Sequence, residues 1–164
     1  MEKEILLLGN PKLYEISNPV KKDEVSQLLP VIQDLHDTLI VFRNKYHAGR
    51  AIAAPQIGIQ KRILYMYIDN PTVFINPVLK PIGNEHMEVM DDCMSFPNLL
   101  VKVKRHKKCR IMYRDLEWNE QEMVLEGDLS ELLQHEYDHL DGILATMRAI
   151  DNRSFYIKQE QKGI

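Results

Sequence analysis

A chain of 164 residues with 45% apolar and 27% charged side chains has ordinary globular composition and fits one domain, 1–164. Its net charge of −3 gives no electrostatic case for specific nucleic-acid binding or for an anionic membrane surface. The apolar run Ile5-Leu6-Leu7-Leu8 is too short for a signal-peptide core, and no stretch approaches the roughly 20 apolar residues that span a bilayer, so the expected location is the cytoplasm.

In chain order, apolar residues at Val25, Leu28, Leu29, Ile32, Leu35, Leu39 and Phe42 keep helical spacing and predict a helix to about Lys45, with Pro30 as a kink or a later start. Short strands are predicted at 62–68, 73–75, 85–90, 99–103, 108–113 and 121–125, separated by turn residues. Gly127 and Asp128 open a second helix that runs to about Asp141 and is stopped by Gly142, and a last helical stretch follows from about Asn152. Repeats, low-complexity tracts and linker-like segments are missing from the sequence. The expected class is α+β, with a largely antiparallel sheet packed around the helix at 128–141 and helices toward both termini.

The second helix carries the chemistry. Gln134-His135-Glu136-Tyr137-Asp138-His139 contains His-Glu-x-x-His, which puts two imidazoles one turn apart on one helix face, close enough to share a metal ion. Glu136 lies about 100° further round and can reach a water on that ion. The bland alternative is a solvated helix with two incidental histidines, against which stands an apolar side through Leu129, Leu132, Leu133, Leu140 and Ile143.

A catalytic site of this kind needs a third ligand. Cys93, in the polar segment Asp91-Asp92-Cys93-Met94-Ser95, supplies a thiolate that leaves one position open for water. The competitor, Cys109, sits in the alternating strand Lys108-Cys109-Arg110-Ile111-Met112 and reads as core.

These segments resemble the peptide deformylases. Gly49-Arg50-Ala51-Ile52-Ala53-Ala54-Pro55-Gln56 resembles that family's Gly-x-Gly-Leu-Ala-Ala-Pro-Gln, Asp91-Asp92-Cys93-Met94-Ser95 its Glu-Gly-Cys-Leu-Ser, and Gln134 to Gly142 its metal-binding helix, in the same order. The resemblance implies removal of the formyl group from the N-terminal methionine of nascent chains. It also implies one divalent ion held by Cys93, His135 and His139, with Fe²⁺ expected natively and Zn²⁺ or Ni²⁺ as replacements. Glu136 is implied to activate water and protonate the leaving amine. The Gln56 amide and the Met94 backbone N–H are implied to steady the oxyanion, while Gln56 also reads as a plain turn residue after Pro55.

The match has departures. Ala51 stands for a glycine, Asp91 for a glutamate and Asp92 for a glycine, while Arg50, Asp128 and Glu131 are charged where the resemblance implies an aliphatic pocket. Gly49, Arg50, Ala51, Asp91, Asp128 and Glu131 are the candidate substrate-binding residues. Helix arithmetic places Glu131 four and Asp128 seven residues before His135, near the ligand's direction, with Arg50 available to pair. Equally, Asp128 could be an N-cap with Glu131 reaching back in a capping box. If the charges face the pocket, the expected substrate has a polar or cationic group beside the formyl amide, and formyl-Met is processed weakly.

His36, His47, His86 and His106 form no second ligand cluster. Lys102, Lys104, Arg105, Lys107 and Lys108 read by default as a solvated strand face, with transient ribosome contact as the minority reading. Two other functions remain open: a zinc endopeptidase, disfavoured by Cys93 and by chain size, and a non-catalytic metal-binding relative, disfavoured by Glu136 and Gln56.

Overall fold

The computed structural model describes residues 1–159. Its first helix, α1 (Val25–Tyr46), accommodates Pro30 in its second turn, where the missing N–H removes one helical bond without ending the helix. Strands β1 (Ala51–Ala53), β2 (Ile63–Tyr67), β3 (Pro71–Pro81), β4 (His86–Cys93), β5 (Phe96–His106), β6 (Lys108–Arg114) and β7 (Glu120–Glu126) follow. Helix α2 (Asp128–Leu140) and strand β8 (Phe155–Ile157) complete the described chain. The strands form two antiparallel sheets, ordered β1-β2-β3-β6-β7 and β4-β5-β8.

The larger sheet lies between the two helices, and the pleat of β2 shows why. Ile63 and Tyr65 face α1, joining Leu28, Ile32, Leu35 and Leu39 in one core. Leu64 and Met66, pointing the other way, join Leu133 and Leu140 of α2, with Phe74, Cys109 and Ile111, in a second. A strand covered on both faces reads as a continuous apolar run, as Ile63–Met66 does. A third cluster, built on Val101, Val103, Leu13, Phe96 and Leu144, includes Cys93 and seats the smaller sheet.

The C-terminus of α2 is held by contacts from outside the helix. The Leu140 carbonyl accepts from Ser17 N at 2.8 Å and from an Arg62 guanidinium nitrogen at 3.0 Å, which satisfies an end that would otherwise be orphaned. Gly142 then turns the chain at φ +70°, and a Cβ there would lie 2.4 Å from the Tyr14 carbonyl oxygen. Gly142→Ala is therefore expected to lose about 2 kcal/mol or more, from left-handed strain plus displaced backbone. Urea denaturation checks this through a lower midpoint at unchanged slope.

The structure corrects several sequence expectations. From Asn152 the described chain forms β8, not a helix, pairing Phe155, Tyr156 and Ile157 with Val101, Leu100 and Leu99. Those residue types favour strands, and the open edge of β5 meets their backbone groups, while an Asp151–Ser154 turn sets the approach. The remainder of that expected helix falls on residues 160–164, outside the described part. Strand β3 outruns the expected 73–75 because it passes through a bulge between Ile75 and Val78, where Pro77 is tolerated.

The capping-box expectation at α2 fails as well. Gly127 is the N-cap and no side chain caps the helix.

Candidate metal centre

Helix α2 directs His135, Glu136 and His139 at β4, where Cys93 ends the strand before the Met94–Ser95 turn. All four side chains are buried, at 1–7% exposure. His139 Nε2 lies 3.2 Å from His135 Nε2 and 3.4 Å from Cys93 Sγ, and one ligand atom from each of the three residues falls within 4.8 Å of the others. Among the described residues no other group of three or more such side chains converges in this way.

This donor set fits a divalent ion. In a tetrahedral site with bonds of about 2.0–2.3 Å, ligand atoms stand roughly 3.3–3.6 Å apart, close to the spacings observed. His139 Nδ1 and Glu136 Oε2 are buried atoms without a hydrogen-bond partner, so the polar interior is not closed by the protein alone. Burial, then the neighbouring His135, drives the His139 imidazole well below its ordinary pKa, toward the neutral form a ligand requires. Burial opposes the proton on His135 too, but Asp91 and the Cys93 sulfur hold it on, and an ion would take that proton's place.

Around the trio stands a buried charged network. Asp91 Oδ2 accepts from His135 Nδ1 at 3.0 Å and from Arg105 at 2.7 Å. Burial disfavours ionised Asp91, yet His135 and Arg105 hold its pKa down at about 2. Arg105 also donates to Asp138 at 2.7 Å, and Asp138 accepts two bonds from Arg148, at 2.6 and 2.9 Å. The His135 ring is thereby oriented with Nε2 inward.

Arg105 corrects the solvated-strand reading of the basic run: it is 3% exposed. A signal for it was present, since Val101, Val103 and Arg105 share one parity of β5 and therefore one face. Arg105→Leu is expected to destabilise by about 3–5 kcal/mol, because two buried carboxylates lose a partner, and chemical denaturation measures it. Asp91→Asn should weaken metal binding by about 10–100-fold, read by competition with a chromophoric chelator.

The other candidates fall as follows. Gln56, in the 3₁₀ turn Ala54–Ile57, is 1% exposed; its Oε1 accepts from Ala53 N at 2.9 Å and its amide nitrogen reaches Cys93 Sγ at 3.6 Å and Ser95 Oγ at 3.2 Å. It thus serves the turn and faces the sulfur at once. Burial pushes the Glu136 carboxyl up to about 7, with His135 opposing.

A cleft of about 350 Å³ opens onto these groups, lined by Gly49, Arg50, Ala51, Asp91, Met94 and Glu131 together with Cys93, His135 and Glu136. Asp128 is exposed and does not line it. Seven residues before His135, it lies about 10 Å further along the axis, past the end of the cleft, whereas Glu131 is only about 6 Å away. Lys158 and Asp92, not expected in the wall, are there and pair at 2.9 Å. Cys109 is fully buried in the α2-side core. A larger groove of about 780 Å³ lies against His36, Tyr65 and Tyr67, but none of the three candidate ligands lines it.

The chain is similar to known proteins over nearly its whole length. The chain is 40% identical over 167 residues to peptide deformylase 1 of Prochlorococcus marinus strain MIT 9313, covering 93% of this chain and 83% of that protein. It is 33% identical to the peptide deformylase of Thermotoga petrophila, across 98% of this chain and 94% of that one. The crystal structure of peptide deformylase from Thermotoga maritima superposes with a TM-score of 0.82 at 31% identity, over 92% of this chain and 99% of the other. The family model for polypeptide deformylase matches residues 2–155. Nearly the whole described chain is thus accounted for, and the chain belongs to the polypeptide deformylase family of enzymes, which remove formyl groups from nascent peptides.

Proposed function

We propose that this chain hydrolyses the N-terminal formyl amide of nascent peptides in the cytoplasm, with Cys93, His135 and His139 holding one Fe²⁺, replaceable by Zn²⁺ or Ni²⁺. The observation that carries this reading is the convergence of His139 Nε2 on His135 Nε2 at 3.2 Å and on Cys93 Sγ at 3.4 Å, with all three ligand atoms within 4.8 Å of one another beside a buried carboxylate. A divalent ion bound there supplies a Lewis acid and an acidified water.

The protein's own groups do the rest. Glu136, with one oxygen unpartnered and a pKa near 7, accepts a water proton as the water oxygen bonds to the formyl carbon. It returns that proton to the amine nitrogen as the C–N bond breaks, giving formate and a free N-terminus. Gln56 Nε2 and the Met94 N–H are the donors for the oxygen that gains charge. Such donors are typically worth about 3–4 kcal/mol of barrier each.

The surroundings favour a peptide substrate. β1 is the edge strand of its sheet, and its Ala51, with the preceding Gly49 and Arg50, lines the cleft. An extended chain can pair along that edge while its formyl end reaches Glu136. The test is formate release from a panel of formyl tripeptides by metal-loaded protein. Release on none of them, with one ion bound per chain, would leave only a metal-binding relative.

A further inference from the structure

The cleft that holds the candidate ligands has charged walls. Beside the apolar Phe42, Leu132 and Met94 stand Arg50, Glu131, Asp92 and Lys158. They form two ion pairs of different quality. Lys158 and Asp92 meet at 2.9 Å, with Asp92 half exposed. Arg50 and Glu131 meet at 3.5 Å, the long limit for such a contact, with Arg50 42% and Glu131 23% exposed.

Arg50 lies in the bend before β1 and Glu131 on helix α2. Glu131 projects one turn before His135. Burial raises its pKa, Asp91 and Asp128 add to that rise, and Arg50 offsets it in part. It is therefore a half-buried anion whose counter-ion is loosely held, a state that a better-placed cation improves. Asp91 is paired with Arg105 at 2.7 Å and Asp92 with Lys158 at 2.9 Å, so Glu131 is the wall carboxylate with the longest ion pair, at 3.5 Å. Phe42 and Leu132 supply apolar surface for the stem of a long cationic side chain.

We propose that Glu131 selects substrates bearing an ammonium or guanidinium on the side chain next to the formyl amide, and that this group displaces Arg50 from Glu131. The proposal rests on the deformylase reading of the site. Glu131 stands about 6 Å along the helix from His135, a span that the four-carbon stem of lysine covers. The charge at Glu131 then discriminates among side chains, while the chemistry stays with Glu136.

Formyl-Lys-Ala-Ser and formyl-Met-Ala-Ser, compared by formate release, should differ in kcat/KM by roughly tenfold or more in favour of lysine. Glu131→Gln should bring that ratio close to one, and Arg50→Leu should raise it by removing the competing cation. A ratio at or below one in the wild type, or a ratio unmoved in Glu131→Gln, overturns the proposal.

Calorimetric titration of metal-loaded Glu136→Ala with the same peptides separates selection from turnover. Tighter binding of the lysine peptide, abolished by adding Glu131→Gln, supports selection even where no peptide yields formate. Equal binding of the two peptides, or no binding of the lysine peptide, overturns it. Absence of formate release from every peptide by the wild type counts against the deformylase reading alone.

Discussion

Replacing Glu136 by alanine is expected to lower kcat/KM for formate release by about 10³-fold, with one ion still bound per chain, since positioned proton transfer typically contributes 10²–10⁴-fold. The expectation follows from placement. Glu136 is 5% exposed, has an unpartnered oxygen, and follows a ligand histidine on the same helix. Glu136→Gln is the sharper variant, because it keeps the shape and removes the proton acceptor. Both should retain the wild-type denaturation midpoint or exceed it, since a buried carboxyl held up near pKa 7 is a cost to the folded state. A rate within tenfold of wild type, with formate measured directly, would remove Glu136 from the chemistry. Equal and negligible rates in wild type and variant would indicate a metal-binding protein without turnover.

The second large effect is expected at the sulfur. Cys93→Ala should weaken metal binding by well over 100-fold, because loss of an outer partner alone typically costs about 10–100-fold. Activity should fall with metal content. Chelator treatment of the wild type should do the same, and re-addition of Fe²⁺, Ni²⁺ or Zn²⁺ should restore turnover only where Cys93 is present. Cys109→Ala is the control: that thiol is fully buried in the core on the sheet's α2 side, and burial raises its pKa, so metal stoichiometry should not change. Metal analysis of anaerobically prepared protein, beside formate assays, reads every arm. Full metal content in Cys93→Ala would refute the three-ligand assignment.

Much of the fold could be read from local pattern. Period-3.6 apolar residues placed α1 to within a residue at its start, and Gly127 and Gly142 bounded α2. The positions of β2 to β7 followed from alternation and turn residues, whereas β1 (Ala51–Ala53) was not expected and strand lengths were not legible, because β3 and β5 extend through positions whose partners lie far along the chain. The segment after Asn152 shows the limit most clearly. A three-residue strand has no periodicity of its own to read, and β8 exists because β5 offers it an edge.

At the site, His135, Glu136 and His139 were legible because a helix makes i, i+4 spacing a spatial statement. Cys93 could be named from its polar surroundings, but its distance to the histidines depends on how β4 packs against α2. The network behind it was largely missed. Arg105 was hidden in a run of lysines: its parity with Val101 and Val103 placed it on the inward face, but its partners Asp91 and Asp138 are supplied by β4 and α2. Glu131 and Asp128 looked alike on a helical wheel, and axial position separated them: two turns from His135 is outside the cleft, one turn is within it.

By itself, then, the amino-acid order determined the α+β class, the helix that presents two imidazoles and a carboxylate, and the identity of a polar cysteine able to join them, because each is encoded by spacing within a single element. Only the tertiary structure decided which charges meet: Asp91 with His135 and Arg105, Arg50 with Glu131, Lys158 with Asp92. Those contacts join residues from 14 to 81 positions apart, and no local periodicity carries information across such separations.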